Sequence, residues 1–437
     1  MRSSTTRLLA ILLALALAVA ACGNDDDSQD TAEAPAEAPT AAPAEEPQEA
    51  PAEEPEEPPA EAPAEEAPAP DPVKIGLIAQ EEELLAFPEV RAASQAFVDY
   101  FNAELDGADG APIDLVVCGA GDTPESHVAC AQQFVNDDDM KIAISAGFGP
   151  NSASASDTLA QGGVPTITLG NDFVDYLTPG VFNFDPGLPG LAQVFFVYAS
   201  GVRGDTSGTL FIADDPAFEP FIPALQAIAE ANGIALNEVV PLGFEPDLTG
   251  PVSAANPDND MWFFLLADGA QCTASAAAVE TVGFEGNLYA NDLCMSEDVV
   301  STGALDGWIG AIVSSAPTAD GGEDVALINR VLDQYGSDDA QNAGLAGWAL
   351  ANMYVARDVL IEAGLADATR ESVLEALSTY ASSDIPGLSG VSCPGPSAWT
   401  GACNMAPLVV TVANGLLTSP DGFIQLDFSE LDFLLEG

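Results

Sequence analysis

The residues that could do chemistry in this chain are few and scattered. The chain has 437 residues but one histidine, His127, so a Ser-His-Asp triad is possible only through that residue. Neither Gly-x-Ser-x-Gly nor His-Glu-x-x-His occurs, and there is no Gly-x-x-x-x-Gly-Lys-Ser/Thr loop that would hold phosphates. His127 therefore favours a packed structural role, and the run Asp137-Asp138-Asp139 is more typical of a solvated loop than of a cation site. The sequence predicts no enzyme, no metal site and no cofactor.

The N-terminal segment indicates export. Two arginines precede an apolar run from Leu8 to Val19. Twelve helical residues rise about 18 Å, which is too short to span a bilayer and is typical of a signal peptide. The run ends in Val19-Ala20-Ala21-Cys22-Gly23, which resembles the lipobox of bacterial lipoproteins; ordinary secretion is the alternative. We therefore expect residues 1–21 to be removed and a diacylglycerol on Cys22 to anchor the protein to the outer face of the cell membrane.

Acidic residues dominate the charge. The chain has 69 Asp and Glu against 9 Lys and Arg, a formal net charge of −60, which excludes nucleic acid and anionic lipid headgroups as partners. Because 48% of the residues are hydrophobic, most of the chain must fold. Residues 25–72 differ, with 17 Asp or Glu, 12 Pro and no basic residue. We expect residues 22–72 to be an extended, disordered tether, with neutral filler as the alternative.

The six cysteines after Cys22 fall in three close pairs separated by long gaps. An even count in an exported protein favours disulfides, and no Cys-x-x-Cys spacing supports the alternative of metal binding. Each close pair would close a loop of roughly 10 to 25 residues and contribute on the order of 2–4 kcal/mol in the chain-entropy model. The expected disulfides are Cys118–Cys130, Cys272–Cys294 and Cys393–Cys403.

From Val73 onward, strand-like and helix-like segments alternate. This pattern predicts an α/β protein in which helices cover both faces of mainly parallel sheets. The order restarts near Thr209, which indicates a second doubly wound sheet. The Asn414-Gly415 pair predicts a C-terminal hairpin that joins Leu408–Val412 to Phe423–Leu426.

The order and spacing of these features resemble one family over residues 73–437. They are similar to the substrate-binding proteins of ABC importers for branched-chain amino acids (Leu/Ile/Val-binding proteins) and related small molecules. Besides the lipobox and the acidic spacer, the motifs are Val73-Lys74-Ile75-Gly76, Asp122-Thr123-Pro124, Ile142-Ala143-Ile144-Ser145, Ser154-Ala155-Ser156-Asp157, Val164-Pro165-Thr166-Ile167-Thr168 and Ile212-Ala213-Asp214-Asp215.

The resemblance implies a type I periplasmic-binding fold. In that fold two Rossmann-like lobes are joined by a hinge of three crossover strands, and the ligand binds between them at the carboxyl ends of the strands. The implied lobes are 73–187 with 314–388, and 188–313 with 389–437. The chain would be a monomer that delivers a small molecule, such as an amino acid or an amide- or amine-like solute, to an ABC permease. A ligand-sensing domain of the same fold that signals to a membrane partner is the alternative.

The resemblance also implies ligand-binding positions. In the first lobe, the start of the helix after the Ile142 strand would hold a ligand carboxylate, and the residues after the Val164 strand would also contact the ligand. Asp172 replaces a hydroxyl there, which would favour an ammonium or amide group and disfavour a second carboxylate. The alternative is that Asp172 caps a helix and Asp292 is a loop residue. The implied set is Gly149, Asn151, Ser152, Gly170, Asn171 and Asp172, with Phe218 and Asp292 from the second lobe.

Overall fold

The structure is a computed structural model that describes residues 70–81, 86–170, 172–216, 218–314, 322–337 and 345–435. The expected signal peptide, Cys22 and nearly all of the tether lie outside these residues, as does Asn171. No helix within these ranges is both long and apolar enough to cross a membrane.

The first sheet has five parallel strands, in the order β2-β1-β3-β4-β5. Strands β1, β3, β4 and β5 are buried because helices connect one strand to the next and cover the sheet, whereas the edge strand β2 is partly exposed. Thr123 shows how a helix is started: its hydroxyl accepts a hydrogen bond from the Ser126 backbone N–H, and Pro124 follows in the first turn. The elements are β1 (Val73–Gln80), α1 (Pro88–Glu104), β2 (Ile113–Ala120), α2 (Pro124–Val135), β3 (Ile142–Ala146), α3 (Pro150–Gln161), β4 (Thr166–Thr168), α4 (Phe173–Leu177) and β5 (Val181–Phe182).

The second sheet has seven strands, in the order β12-β11-β10-β9-β8-β6-β7. Its strands β6 to β10 are parallel, and β11 pairs antiparallel with β10. The elements are α5 (Gly187–Tyr198), β6 (Ser207–Ala213), α6 (Phe221–Ala231), β7 (Ala235–Leu242), α7 (Thr249–Ala254), β8 (Met261–Leu265), α8 (Gly269–Val282), β9 (Asn287–Ala290), α9 (Glu297–Val300), β10 (Ile309–Ile312), β11 (Leu408–Ala413) and β12 (Leu416–Thr418).

Between β10 and β11 the chain returns to the first lobe. Helices α10 (Glu323–Tyr335) and α11 (Ala346–Glu362) pack against α1, and α12 (Arg370–Ser378) packs against α11. A two-residue ladder, Ala381–Ser382 with Val391–Ser392, then precedes the return to the second sheet. The result is the type I periplasmic-binding arrangement of two α/β lobes, each built from separate stretches of chain.

The C-terminal hairpin differs from the sequence prediction in its second strand. Its turn is Asn414-Gly415, as predicted, but the strand that pairs with β11 is Leu416–Thr418 rather than Phe423–Leu426. Both turn residues have positive φ, 54° and 71°, as a two-residue type I′ turn requires. Such a turn reverses the chain at once, so the partner strand must follow it directly. Of the predicted segment, Phe423 forms an isolated bridge with Leu408.

The three predicted disulfides are confirmed. Cys118–Cys130 joins β2 to α2, and Cys272–Cys294 joins α8 to a short 3₁₀ helix after β9. Cys393–Cys403 closes a loop just before the chain enters β11.

Candidate functional site

A cavity lies between the carboxyl ends of the parallel strands of the two sheets. Phe148 and Leu169 follow β3 and β4 of the first lobe, whereas Phe218, Asp292 and Val313 follow β6, β9 and β10 of the second. Open α/β sheets place their ligands at this edge. The remaining space is about 60 Å³, several times the roughly 10–15 Å³ that one water needs.

The cavity walls are almost entirely apolar. Six phenylalanines contribute, together with aliphatic side chains from α5, α6 and β8. Phe148 of the first lobe lies 5.8 Å from the ring centre of Phe218 and 5.9 Å from that of Phe221, so aromatic contacts bridge the two lobes. The lining residues are Phe87, Phe148, Leu169, Leu188, Leu191, Ala192, Phe195, Phe218, Phe221, Leu225, Phe263, Leu265, Asn291, Asp292, Leu293, Val313 and Leu345.

Asp292 is the one charged side chain among these lining residues. It opens the 3₁₀ helix after β9, and its Oδ1 accepts a hydrogen bond from the Leu293 backbone N–H at 3.0 Å. Burial raises the pKa of Asp292 to about 6. The neighbouring Asn291 already bonds to Leu266 through both its side-chain oxygen and its side-chain nitrogen. Asp292 is therefore the polar group best able to meet a ligand.

The predicted positions at the start of α3 do not line the cavity, although the preceding Phe148 does, and the side chains of Asn151 and Ser152 are engaged within the protein. Gly149 is the residue before α3, with φ of +51°. The side-chain amide of Asn151 donates to the Asp122 carboxylate at 2.7 Å and to Gln80 at 3.2 Å. The Ser152 hydroxyl donates to Asp175 at 2.7 Å.

The predicted positions after β4 are used to shape the chain. The carbonyl of Gly170 accepts hydrogen bonds from the Leu188 backbone N–H at 3.0 Å and from the Tyr176 hydroxyl at 3.2 Å. Asp172 caps α4, because its carboxylate accepts from the Val174 backbone N–H at 2.9 Å. Neither residue is among the cavity lining, whereas Phe218 and Asp292 of the second lobe are.

Two further acidic residues are fully buried near the crossing between the lobes. Asp175 accepts hydrogen bonds from the Ser152 and Ser156 hydroxyls, each at 2.7 Å, and burial raises its pKa to about 7. Asp185 accepts from the Trp348 indole N–H at 2.7 Å, and burial raises its pKa to about 7 as well. Both carboxyl groups therefore tend to hold a proton near neutral pH.

Several lining residues were missed at the sequence level. Phe195 on α5 and Phe263 on β8 have apolar neighbours along the chain and cannot be told from core residues by pattern alone. Phe148 offered a signal, because it stands alone between Gly147 and Gly149 directly after a buried strand. An isolated aromatic residue at the carboxyl end of a parallel strand is a candidate for the ligand cleft.

Comparison with known proteins agrees with this geometry. The model of a family described as "Periplasmic binding protein" matches residues 72–404. The chain belongs to the periplasmic binding protein family. Members of this family bind small molecules outside the cytoplasm for ABC transporters, and they are binding proteins rather than enzymes. The resemblance to branched-chain amino acid binding proteins is thereby confirmed.

Solved structures share the fold at low sequence identity. One is LivJ of Streptococcus pneumoniae, a substrate-binding protein of a branched-chain amino acid transporter, solved in complex with isoleucine. It is 13% identical to this chain, with a TM-score of 0.65, and the alignment covers 81% of this chain and 100% of LivJ. A fatty acid ABC transporter substrate-binding protein from Thermomonospora curvata is 14% identical with a TM-score of 0.67, covering 82% and 94%.

A solute-binding protein from Rhodopseudomonas palustris, in complex with 3,4-dihydroxybenzoic acid, is also 14% identical, with a TM-score of 0.65, covering 82% and 99%. A sequence search of curated proteins finds no match.

Proposed function

We propose that this periplasmic binding protein is the receptor of an ABC importer for a small solute with an apolar body. The observation that supports it is the cavity between the lobes, to which six phenylalanines contribute. Each 100 Å² of apolar ligand surface removed from water would contribute about 2.5 kcal/mol. The amino acids, amides and amines expected from the sequence are candidates when their side chain or body is apolar.

Binding would depend on a hinge motion. The lobes 73–187 with 314–388 and 188–313 with 389–437 part to admit the ligand and close on it, because the cavity walls come from both. The contacts of Phe148 with Phe218 and Phe221 would then open and re-form around an apolar ligand. Closure presents a defined surface to the permease.

The cavity assignment can be tested by filling it. Ala192 lines the cavity, so Ala192→Phe would place a ring in the space that the ligand needs. The matched control is Ala231→Phe, at an exposed position at the end of α6. We expect neutral apolar probes such as 2-phenylethanol and 1-hexanol to raise the melting temperature of the wild type and of the control. The Ala192→Phe variant should keep its fold by circular dichroism and lose this response, and an equal response in all three proteins would refute the site.

The lipid anchor is a separate part of the proposal. Mass spectrometry of the N-terminal peptide should find a diacylglycerol on Cys22, and the protein should sediment with membranes. The Cys22→Ala variant should instead be released into the soluble fraction. A wild-type protein found soluble, with an unmodified N-terminal peptide, would refute lipid anchoring.

A further inference from the structure

The charges around the cavity indicate the kind of polar group that the ligand carries. We propose, resting on the proposed function of this cavity, that the ligand is an apolar amine: a cation with an aromatic or aliphatic body and no carboxylate. Three observations support this proposal.

The start of α3 already has an internal carboxylate beside it. Asp122 accepts hydrogen bonds from the Asn151 side-chain amide at 2.7 Å and from Gln80 at 3.2 Å. The Phe148 backbone N–H donates to the Gln80 side chain at 3.2 Å. A ligand carboxylate placed there would find the Asn151 side-chain amide and the Phe148 backbone N–H already engaged, and it would meet the negative charge of Asp122. The place at which the resemblance puts a carboxylate is therefore unfavourable for one in this chain.

No basic side chain lines the cavity among the described residues. The folded part has seven lysines and arginines, all within the described ranges, and each contacts partners elsewhere. The partners include Asp137 for Lys74, Glu81 for Arg91, the Asp138 carbonyl for Lys141, Asn287 for Arg203, Glu104 for Arg330, the Gly107 carbonyl for Arg357 and the Met140 carbonyl for Arg370. A buried carboxylate without a cationic partner is costly, so an acidic ligand is disfavoured.

Asp292 supplies the complementary charge for a cation. Its Oδ1 has the Leu293 backbone N–H as a partner, and no ion pair with Asp292 occurs in the described part of the chain. An ammonium group is a hydrogen-bond donor with a positive charge, so it would pair with this carboxylate while the apolar body lies among the phenylalanines. The acidic surface would also raise the local concentration of cations.

Four probes with the same phenyl body test this proposal. They are 2-phenylethylamine, 2-phenylethanol, 3-phenylpropanoate and phenylalanine, each titrated calorimetrically into the full mature chain. We expect the amine to bind about tenfold or more tightly than the alcohol, and the two carboxylate-bearing probes to bind more weakly than the alcohol. In Asp292→Asn, amine affinity should fall about tenfold to the level of the alcohol, while alcohol affinity changes less than about threefold. The control Asp298→Asn, at an exposed position on α9, should bind all probes as the wild type does.

The outcomes separate this inference from the function on which it rests. If 3-phenylpropanoate or phenylalanine binds as tightly as the amine, and Ala192→Phe abolishes that binding, the cavity function stands and the amine inference is wrong. The inference is also wrong if Asp292→Asn leaves the preference for the amine unchanged. If none of the four probes binds to the wild type, the proposed cavity function fails, and the inference fails with it.

Discussion

Gly187 offers a stringent test of how closely the start of α5 packs against the loop that follows β4. It begins α5 with φ of +51°, and a Cβ atom built on it would overlap the Tyr176 hydroxyl oxygen and the Gly170 carbonyl oxygen. That Cβ would also lie 2.9 Å from the Gly170 carbonyl carbon. The backbone N–H of the next residue, Leu188, donates a hydrogen bond to the Gly170 carbonyl. The backbone at Gly187 therefore cannot move away from Gly170 to make room for a Cβ atom without losing that hydrogen bond. We expect Gly187→Ala to lower the free energy of unfolding by about 2–5 kcal/mol, from about 1–2 for the left-handed backbone and about 1–3 for the overlap.

Two other glycines separate these contributions. Gly204 has φ of +78° with open space around a built Cβ, so Gly204→Ala should cost only about 1–2 kcal/mol for its backbone. Gly201 has open space and no positive φ, so Gly201→Ala should be neutral or stabilise by up to about 1 kcal/mol. Urea unfolding followed by circular dichroism measures all three. A cost for Gly187→Ala equal to that of Gly204→Ala would show that the overlap is relieved and the reasoning about close packing is wrong.

Three further predictions concern stability. Arg370 donates hydrogen bonds to five backbone carbonyls around the ends of α2 and α3, so Arg370→Met should lower the free energy of unfolding in urea by about 2–4 kcal/mol. The control Arg330→Met loses a more exposed ion pair with a glutamate and should cost less than about 1 kcal/mol. Similar losses in the two variants would contradict this prediction. The melting temperature should rise from pH 8 to pH 5, because native Asp175 and Asp185, with pKa values raised to about 7, keep protons that unfolded carboxyl groups release above about pH 4. Burial lowers the pKa of His127 to about 4, which opposes this rise below about pH 6.5, but this one group acts against Asp175, Asp185 and Asp292, whose pKa values are all raised. A smaller rise in melting temperature for Asp185→Asn would support the assignment, and an unchanged rise would exclude Asp185 as a source. Residues 73–437 carry 52 acidic and 7 basic side chains, a net charge of about −45. The melting temperature should also rise from low salt to 1 M sodium chloride, because a Debye length of about 3 Å at 1 M screens the repulsion between these charges. A melting temperature that does not change with salt would count against a repulsive surface.

Much of the fold could be predicted because its signals are local. The turn at Asn414-Gly415 lies where that residue pair predicts it, and the helix after Thr123-Pro124 begins where a capping hydroxyl and a proline in the first turn indicate. The three disulfides followed from spacing alone, since each pair is close in sequence. The second strand of the C-terminal hairpin was misplaced because apolar pattern was given more weight than the geometry of a two-residue turn.

The cavity was harder to predict because its residues meet only after folding. Phe218 and Asp292 were implied by the resemblance to the family, but Phe195 and Phe263 have the apolar surroundings of ordinary core residues. The hydrogen bonds of Asn151 and Ser152 depend on Asp122 and Asp175, which come from other segments. No sequence pattern showed that these polar side chains are already engaged within the protein.

If the ligand is an amine, Asp292 would select it and would also couple its binding to closure of the two lobes. Closing the lobes surrounds its carboxylate with phenylalanine rings and removes water from it, which costs free energy when no cation is present. An ammonium group would remove this cost, whereas an uncharged molecule of the same shape would not. A ligand shifts a conformational equilibrium only by its difference in affinity for the two states. The ion pair between the ligand ammonium group and Asp292 would therefore add directly to the free energy that favours the closed form. An apolar alcohol would therefore bind in the cavity yet stabilise the closed form less than the matching amine.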